Sequence, residues 1–186
     1  AAPERHALPP DVRQRLEQTH YATIAANART LAQLGALRAA LAQVGAPLLL
    51  LKGAALTESL YVGLGPRLIG DIDLLVPRAA VPDYRRLLLG MGYTPREAEV
   101  RPGAHLAYRY EECFVPPAGA ETAVELHWHL LEIPWYAQRM PVDWFWEHSE
   151  VRTIAGQPFQ VLDDLANLVY LPAHLALHHG YAELHA

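Results

Sequence analysis

Two short apolar runs constrain the fold of this chain more than any other feature of its sequence. They are PLLLLK at 47–52 and DIDLLVP at 71–77, and neither shows the three- and four-residue apolar spacing of a helix. Continuous apolar runs of this length are typical of strands that are buried on both faces. The segment GAALTESLY between them is helix-like, and the glycines and proline of VGLGP then predict a loop. We therefore predict two buried strands that are joined by a helix and a loop.

The segments on either side of these runs predict more helices and a hairpin region. Apolar residues recur at helical spacing over 11–44, and AAVPDYRRLLLGMGY predicts a helix that ends at Gly92. Strands are predicted near HLAYRYEECFV and TAVELHWHL. A helix is predicted over 134–148, and a two-stranded turn is predicted at VRTIAGQPFQVL. Strands that alternate with helices and are then followed by a hairpin predict an α+β fold, a mixed sheet covered by helices.

The length of the chain sets the expected domain organisation. Its 186 residues, 52% of them hydrophobic, can bury the core of one sizeable domain. We expect an N-terminal helical segment over 1–46, a core over 47–162 and the start of a C-terminal helical part over 163–186, bent or interrupted at Pro172. Because the chain begins with Ala1 and ends within a helical pattern, we also expect it to be a fragment of a longer protein.

Composition argues against several classes of function. With 15 Lys and Arg against 20 Asp and Glu, and no basic run, strong non-specific nucleic-acid binding is not expected. The longest apolar run, APLLLL at 46–51, is far shorter than the ~20 residues of a membrane helix. The single cysteine, Cys113, excludes an internal disulfide, and without a signal-peptide pattern at the start we expect a cytoplasmic protein.

Acidic side chains open the second apolar run, where an ionised carboxylate is costly to bury without a partner. Asp71 and Asp73 share one face of the predicted strand, about 6.6 Å apart, because successive side chains point to opposite faces. Carboxylates so placed can bind hard cations together with substrate phosphates. A third acid, Glu125, has similar apolar neighbours in AVELHWHL. If the two strands are adjacent, the three acids form a site suited to two-metal phosphoryl chemistry.

A candidate phosphate site precedes these acids in LLLLKGAALTESLY. Gly53 permits close approach of a ligand to the backbone, and the start of a helix favours an anion. Lys52 adds a positive charge at the same place, and Arg67 lies four residues before Asp71. Phosphate-binding groups beside acids predict a nucleotide site. The competing interpretation is that the acidic pair is only a solvated strand end or a cap.

The order LLKGAAL, LY, GPR, GDIDLLV and VELHW resembles an uncharacterised family of bacterial nucleotidyltransferase-like proteins in the DNA polymerase β-type nucleotidyltransferase superfamily. It is also similar to abortive-infection nucleotidyltransferase toxins, which have Lys-Gly and DxD motifs. The resemblance covers roughly 11–180, with the specific matches confined to 48–76 and 123–130. It implies a nucleotidyltransferase fold in which the metal-binding acids lie on adjacent strands.

The resemblance also implies an activity, namely transfer of a nucleoside monophosphate from an NTP to a hydroxyl acceptor with release of pyrophosphate. The acceptor would be a protein, a tRNA or a small molecule. Asp71, Asp73 and Glu125 would be the catalytic acids and would bind two Mg²⁺ or Mn²⁺ ions.

The resemblance assigns nucleotide binding to residues that precede these acids. Lys52, Gly53 and Ala54 would hold the triphosphate, and Arg67 would steady phosphate or the acids. The chain departs from the superfamily at Gly53-Ala54, where a glycine-serine pair is usual, so that one hydroxyl contact to phosphate is lost.

Two alternatives remain open at this point. A degenerate nucleotidyltransferase fold could bind nucleotide or a partner without turnover, which the Gly53-Ala54 departure favours. The second and less favoured alternative is a zinc hydrolase, because His127 and His129 form an H-x-H pair on the predicted strand face of Glu125. In the preferred interpretation His127 is an accessory residue beside the acids.

His174 and His178 have metal-ligand spacing, but we interpret them as a partly exposed polar helix face.

Overall fold

The computed structural model describes residues 8–61 and 63–177, and within them a seven-stranded sheet is packed by helices. The strands are β1 (Leu49–Leu51), β2 (Asp71–Leu75), β3 (Thr94–Pro95), β4 (Glu111–Val115), β5 (Ala123–His127), β6 (Ser149–Ile154) and β7 (Gln157–Leu162). The helices are α1 (Pro10–Leu41), α2 (Lys52–Leu60), α3 (Val81–Gly90), α4 (Ala104–Tyr108), α5 (Pro134–Ala137), α6 (Val142–Glu147) and α7 (Asp164–Leu177).

The sheet is mixed, which confirms the α+β class expected from the sequence. Its strand order is β3-β4-β5-β2-β1-β7-β6. β2 pairs antiparallel with β1 and parallel with β5, so the two strands that carry the predicted acids are neighbours. The register places Asp73 directly opposite Glu125. The strands that carry Asp73 and Glu125 are therefore adjacent, as the predicted three-acid site requires.

Both faces of the central strands are buried, which explains why their sequences are apolar almost without interruption. Ile72 and Leu74 of β2 point toward α1 and α3 on what we call the α1 face, where they join a core that includes Leu34 and Tyr84. The opposite face, called the α7 face, carries Asp71, Asp73 and Leu75 of β2 and is covered by α6 and α7. Its core includes Leu75, Phe145 and Tyr170. The acids thus share a face with the C-terminal helix.

The structure differs from two expectations along the chain. The segment predicted as a strand near HLAYRYEECFV begins instead as α4, which starts after Gly103 in a left-handed conformation, and only Glu111–Val115 is extended. The helix α7 continues through Pro172, so the interruption that was one of the two expected effects of this proline does not occur. The rest of the predicted C-terminal helical part, 178–186, lies outside the described residues.

The predicted two-stranded turn is a hairpin that belongs to the main sheet. β6 and β7 are joined by Ala155 and Gly156, which both have positive φ, as a two-residue type I′ connection requires. β7 then pairs in parallel with β1 through Val161 and Leu50. Among the described residues no helix combines the length and the apolar character that a membrane span needs.

Candidate functional site

The predicted phosphate site and two of the three acids, Asp71 and Glu125, line one cavity of about 470 Å³, where β2, β5, α2 and α7 meet. Asp73 is fully buried beside Glu125 and does not itself line the cavity. A cavity of this size is in the usual range for small-molecule sites. Five of the residues singled out from the sequence line it: Lys52, Gly53, Arg67, Asp71 and Glu125. The C-terminal helix supplies the remaining wall with Leu171, His174 and Leu175.

The acids differ in burial and in how closely they approach one another. Asp73 is fully buried, whereas the side chain of Glu125 is 18% exposed. Among the described residues, Asp73, Glu125 and His127 form a group whose potential ligand atoms all lie within 4.8 Å of one another. Asp71 lies outside this group, although it is on the same strand face and lines the cavity. The closest set of potential ligands is therefore two carboxylates and one imidazole.

Lys52 lies at the junction of β1 and α2 and makes the shortest charge contact of the site. Its Nζ lies 2.7 Å from Asp73 Oδ1 and 3.8 Å from Glu125 Oε2. Its φ of +48° is left-handed, a conformation that costs an L-residue about 1–2 kcal/mol. In this structure the ammonium group therefore pairs with the acids.

His127 links the acids to a fourth carboxylate that the sequence analysis did not single out. Its Nε2 lies 2.9 Å from Asp73 Oδ1 and 3.6 Å from Glu125 Oε2. Its Nδ1 lies 3.0 Å from Glu111 Oε2, a charge contact without the alignment of a hydrogen bond. Burial lowers the pKa of His127, but the contacts with these three carboxylates raise it by more, to about 10. His127 is therefore a cation at neutral pH.

The site holds more negative than positive groups. Burial raises the pKa of Asp73, but His127 and Lys52 outweigh burial and hold that pKa below its usual value. For Asp71 the balance is reversed: burial, then the charges of Asp73 and Glu125, outweigh the charge of Lys52 and raise the pKa of Asp71 to about 7. Four carboxylates thus surround the two cations that contact Asp73, which are Lys52 and His127. An additional cation would relieve the repulsion among the carboxylates.

Two buried polar atoms on the α7 face also indicate that the site is completed by a ligand. Among the described residues, neither the second oxygen of Asp73, Oδ2, nor the hydroxyl of Tyr170 has a hydrogen-bond partner. A buried polar atom without a partner costs about 1–3 kcal/mol. Burial, and next the charge of Asp73, raise the pKa of Tyr170, which is consistent with a hydroxyl near the acids. Carboxylate oxygens are the ligands that Mg²⁺ and Mn²⁺ prefer, so the residues fit such an ion.

The residues expected to bind phosphate occupy different places around α2. Gly53 lines the cavity, and the Arg67 guanidinium lies on the same wall, 3.4 Å from the Tyr61 hydroxyl. Ala54, by contrast, is fully buried in the core on the α1 face. Its side chain is directed into that core, so only its backbone is available to a phosphate.

Asn27 of α1 fixes the loop that forms one wall of the cavity, a role that its sequence position does not reveal. Its Nδ2 donates to the carbonyl oxygens of Leu64 and Arg67, both at 2.7 Å. Its Oδ1 accepts a hydrogen bond from Ile69 N at 2.8 Å. The fully buried amide thereby holds the loop 63–70, which carries Arg67 and leads into β2.

We expect Asn27→Leu to lower the free energy of unfolding by about 2–4 kcal/mol. The substitution removes three hydrogen bonds at about 0.5–1.5 kcal/mol each and leaves buried backbone groups without partners. Urea denaturation measures the change. The matched control is Gln18→Ala on the exposed part of the same helix, which should stay within about 0.5 kcal/mol of wild type. Equal stability of the two variants would show that Asn27 does not hold the loop.

Comparison with protein families supplies an independent finding. A family model described as "Uncharacterised nucleotidyltransferase" matches residues 1–185. The chain belongs to this family. Membership confirms the resemblance to an uncharacterised nucleotidyltransferase family and agrees with a cavity lined by acids and a lysine. Comparisons with curated proteins and with solved structures found no match.

The histidines considered as zinc ligands do not form a common site in the described part of the chain. β5 ends at His127, and His129 lies beyond it, where its Nδ1 accepts a hydrogen bond from Leu131 N at 3.1 Å. Burial lowers the pKa of His129, which keeps the ring neutral. His174 lines the cavity and is not simply part of a polar surface, whereas His178 lies outside the described residues.

Proposed function

We propose that this protein is a divalent-metal-dependent nucleotidyltransferase that transfers NMP from an NTP to a hydroxyl acceptor and releases pyrophosphate. The observation that carries the proposal is the pairing of Asp73 with Glu125 across two parallel strands, beside a cavity that Glu125 and Asp71 line. Membership of a nucleotidyltransferase family supports the same activity. The acceptor is a protein side chain, a tRNA end or a small molecule.

Mg²⁺ or Mn²⁺ would be held by Asp73 and Glu125, with Asp71 at the cavity side of the same strand. A bound ion of this kind stabilises negative charge on phosphate oxygens. His127, charged and fully buried, would keep Asp73 in place, since it contacts Asp73 and Glu111 together. We therefore assign His127 as a positioning residue and not as a ligand of zinc.

The triphosphate would lie along the start of α2, where Gly53 lines the cavity and the backbone amides of the first turn are directed outward. Arg67 on the neighbouring wall adds a positive charge for the phosphates. Glu125 is partly exposed to the cavity and would accept the proton of the attacking hydroxyl. The wall made by α7 would then face the nucleoside or the acceptor.

Calorimetric titration with ATP, GTP, CTP and UTP, each with and without Mg²⁺, tests this function without knowledge of the acceptor. We expect one NTP to bind in the presence of Mg²⁺. Its affinity should fall at least about tenfold after Mg²⁺ is removed with EDTA, because the acids repel a triphosphate that has no bound metal ion. Binding that ignores Mg²⁺ would favour the degenerate fold that binds nucleotide without turnover. Failure of every NTP to bind would contradict the proposed activity.

A further inference from the structure

The ammonium group of Lys52 occupies the position that a metal ion at the acids would need. It lies 2.7 Å from Asp73 Oδ1 and 3.8 Å from Glu125 Oε2, and both carboxylates belong to the closest group of potential ligands. The side chain is only 14% exposed. Lys52 is therefore a nearly buried counter-ion of the acids and not a surface lysine that passes close to them.

A divalent ion and this ammonium group cannot share the acids without a cost. Metal–oxygen distances are about 2.0–2.6 Å, so an ion bound to the same oxygens would lie within a few ångströms of Nζ. Two positive charges at that separation repel strongly in a site with little water. Metal binding is thus opposed by Lys52 for as long as its side chain stays where it is.

A triphosphate in the cavity would give the displaced ammonium group a new partner. Lys52, Gly53 and Arg67 line the cavity together at the start of α2, and a triphosphate there would supply oxygens for the ammonium group. A metal ion that binds the acids alone separates the ammonium group from Asp73. A metal–triphosphate complex binds the acids through its metal ion and supplies phosphate oxygens to the ammonium group in the same step.

We propose that Lys52 makes the site selective for a metal–nucleoside triphosphate complex over the free metal ion, because it holds the acids until triphosphate oxygens replace them as its partner. The inference rests on the proposed function, since it needs both metal and triphosphate to bind at this cavity. It assigns Lys52 two successive partners: the carboxylates first and the phosphates afterwards.

The left-handed backbone of Lys52 supports a functional role for this residue in addition to charge balance. A non-glycine residue in the left-handed region is uncommon, and such strained residues cluster at functional sites. A lysine elsewhere in β1 or α2 could neutralise the acids over a longer distance without this strain. The strained backbone instead places the ammonium group in direct contact with Asp73.

Titrations with Mn²⁺ alone and with the Mn²⁺ complex of inorganic triphosphate test the proposal. We expect Lys52→Met to bind free Mn²⁺ at least about tenfold more tightly than wild type and the complex more weakly, so that the preference for the complex is lost. The charge-matched control is Arg29→Gln, which removes a cation from an exposed position outside the cavity, where Arg29 pairs with Glu121. It should change the affinity for free Mn²⁺ by less than about threefold. The proposal would be overturned if the two variants changed the affinity for free Mn²⁺ equally, or if Lys52→Met did not bind free Mn²⁺ more tightly than wild type.

A second variant addresses the possibility that Lys52→Met does not fold. Lys52→Gly relieves the left-handed backbone and should show the same gain in Mn²⁺ affinity. If both variants fold only when Mn²⁺ is added, the ion has replaced the ammonium group, which supports the proposal. Failure of the proposed function is distinguishable: wild type and all variants would then bind neither Mn²⁺ nor its triphosphate complex. Failure of the inference alone would leave Mn²⁺ binding that requires Asp73 but does not respond to Lys52.

Discussion

Asp73→Asn should weaken Mg²⁺-dependent NTP binding by at least about a hundredfold, and NMP transfer by at least about a thousandfold. Asp73 is fully buried, lies opposite Glu125 on the neighbouring strand and offers an oxygen that has no protein partner among the described residues. An amide of the same shape removes the negative charge and one of the anionic ligand oxygens. Loss of a single stabilising group in an enzyme site already costs ~10²–10³ in rate. Calorimetry with the NTP that wild type prefers measures the first effect.

The control for this substitution is Asp83→Asn, which removes the same charge from an exposed position on α3, where Asp83 pairs with Arg86. It should leave binding and transfer unchanged. Because the amide at 73 leaves Lys52 and His127 without their shared partner, circular dichroism must show that the variant is folded. If it is not, Asp71→Asn provides the test, since Asp71 lines the cavity and has less contact with the buried network. Unchanged Mg²⁺-dependent binding in a folded variant would contradict the metal site.

Much of the central fold could be predicted because its signals are local. The apolar runs of β1 and β2, the loop glycines between them and Gly92 after α3 each depend on neighbours in sequence. The helix α4 could not be predicted in this way, since its residues also fit a strand pattern. Tertiary contacts decide its structure: His105 is buried in α4 with its Nδ1 3.3 Å from Glu112 Oε1 of β4. A contact between two separate elements cannot be recognised from the sequence pattern of either segment alone.

The same distinction explains which site residues were found from the sequence. Asp71, Asp73 and Glu125 could be proposed as site residues because a carboxylate is conspicuous in an apolar strand. Glu111 was missed because its importance depends on the register of β4, which places it opposite His127. Asn27 was missed because the loop that it holds lies 37 to 42 residues further along the chain. Sequence patterns thus indicate candidate metal ligands more readily than the residues that position them.

His127→Gln should lower the free energy of unfolding of the metal-free protein by about 3–5 kcal/mol. His127 is a fully buried cation within 3.6 Å of carboxylate oxygens of Asp73, Glu111 and Glu125. Removal of one partner from a buried charge network leaves uncompensated charge in a site with little water, and losses of this size are typical. In the variant Lys52 is the remaining cation that contacts Asp73 and Glu125 among the described residues. Urea denaturation of the EDTA-treated protein measures the loss.

The matched control is His129→Gln, two residues further along the chain. His129 is neutral and accepts one hydrogen bond, from Leu131 N, so its loss should cost only about 1 kcal/mol. Added Mn²⁺ should stabilise His127→Gln more than it stabilises wild type, because the ion then supplies charge that the imidazolium no longer provides. Equal losses for the two histidines, or equal stabilisation by Mn²⁺, would show that His127 acts by packing alone. The difference between the two variants therefore measures the part of the stability that depends on charge at the acids.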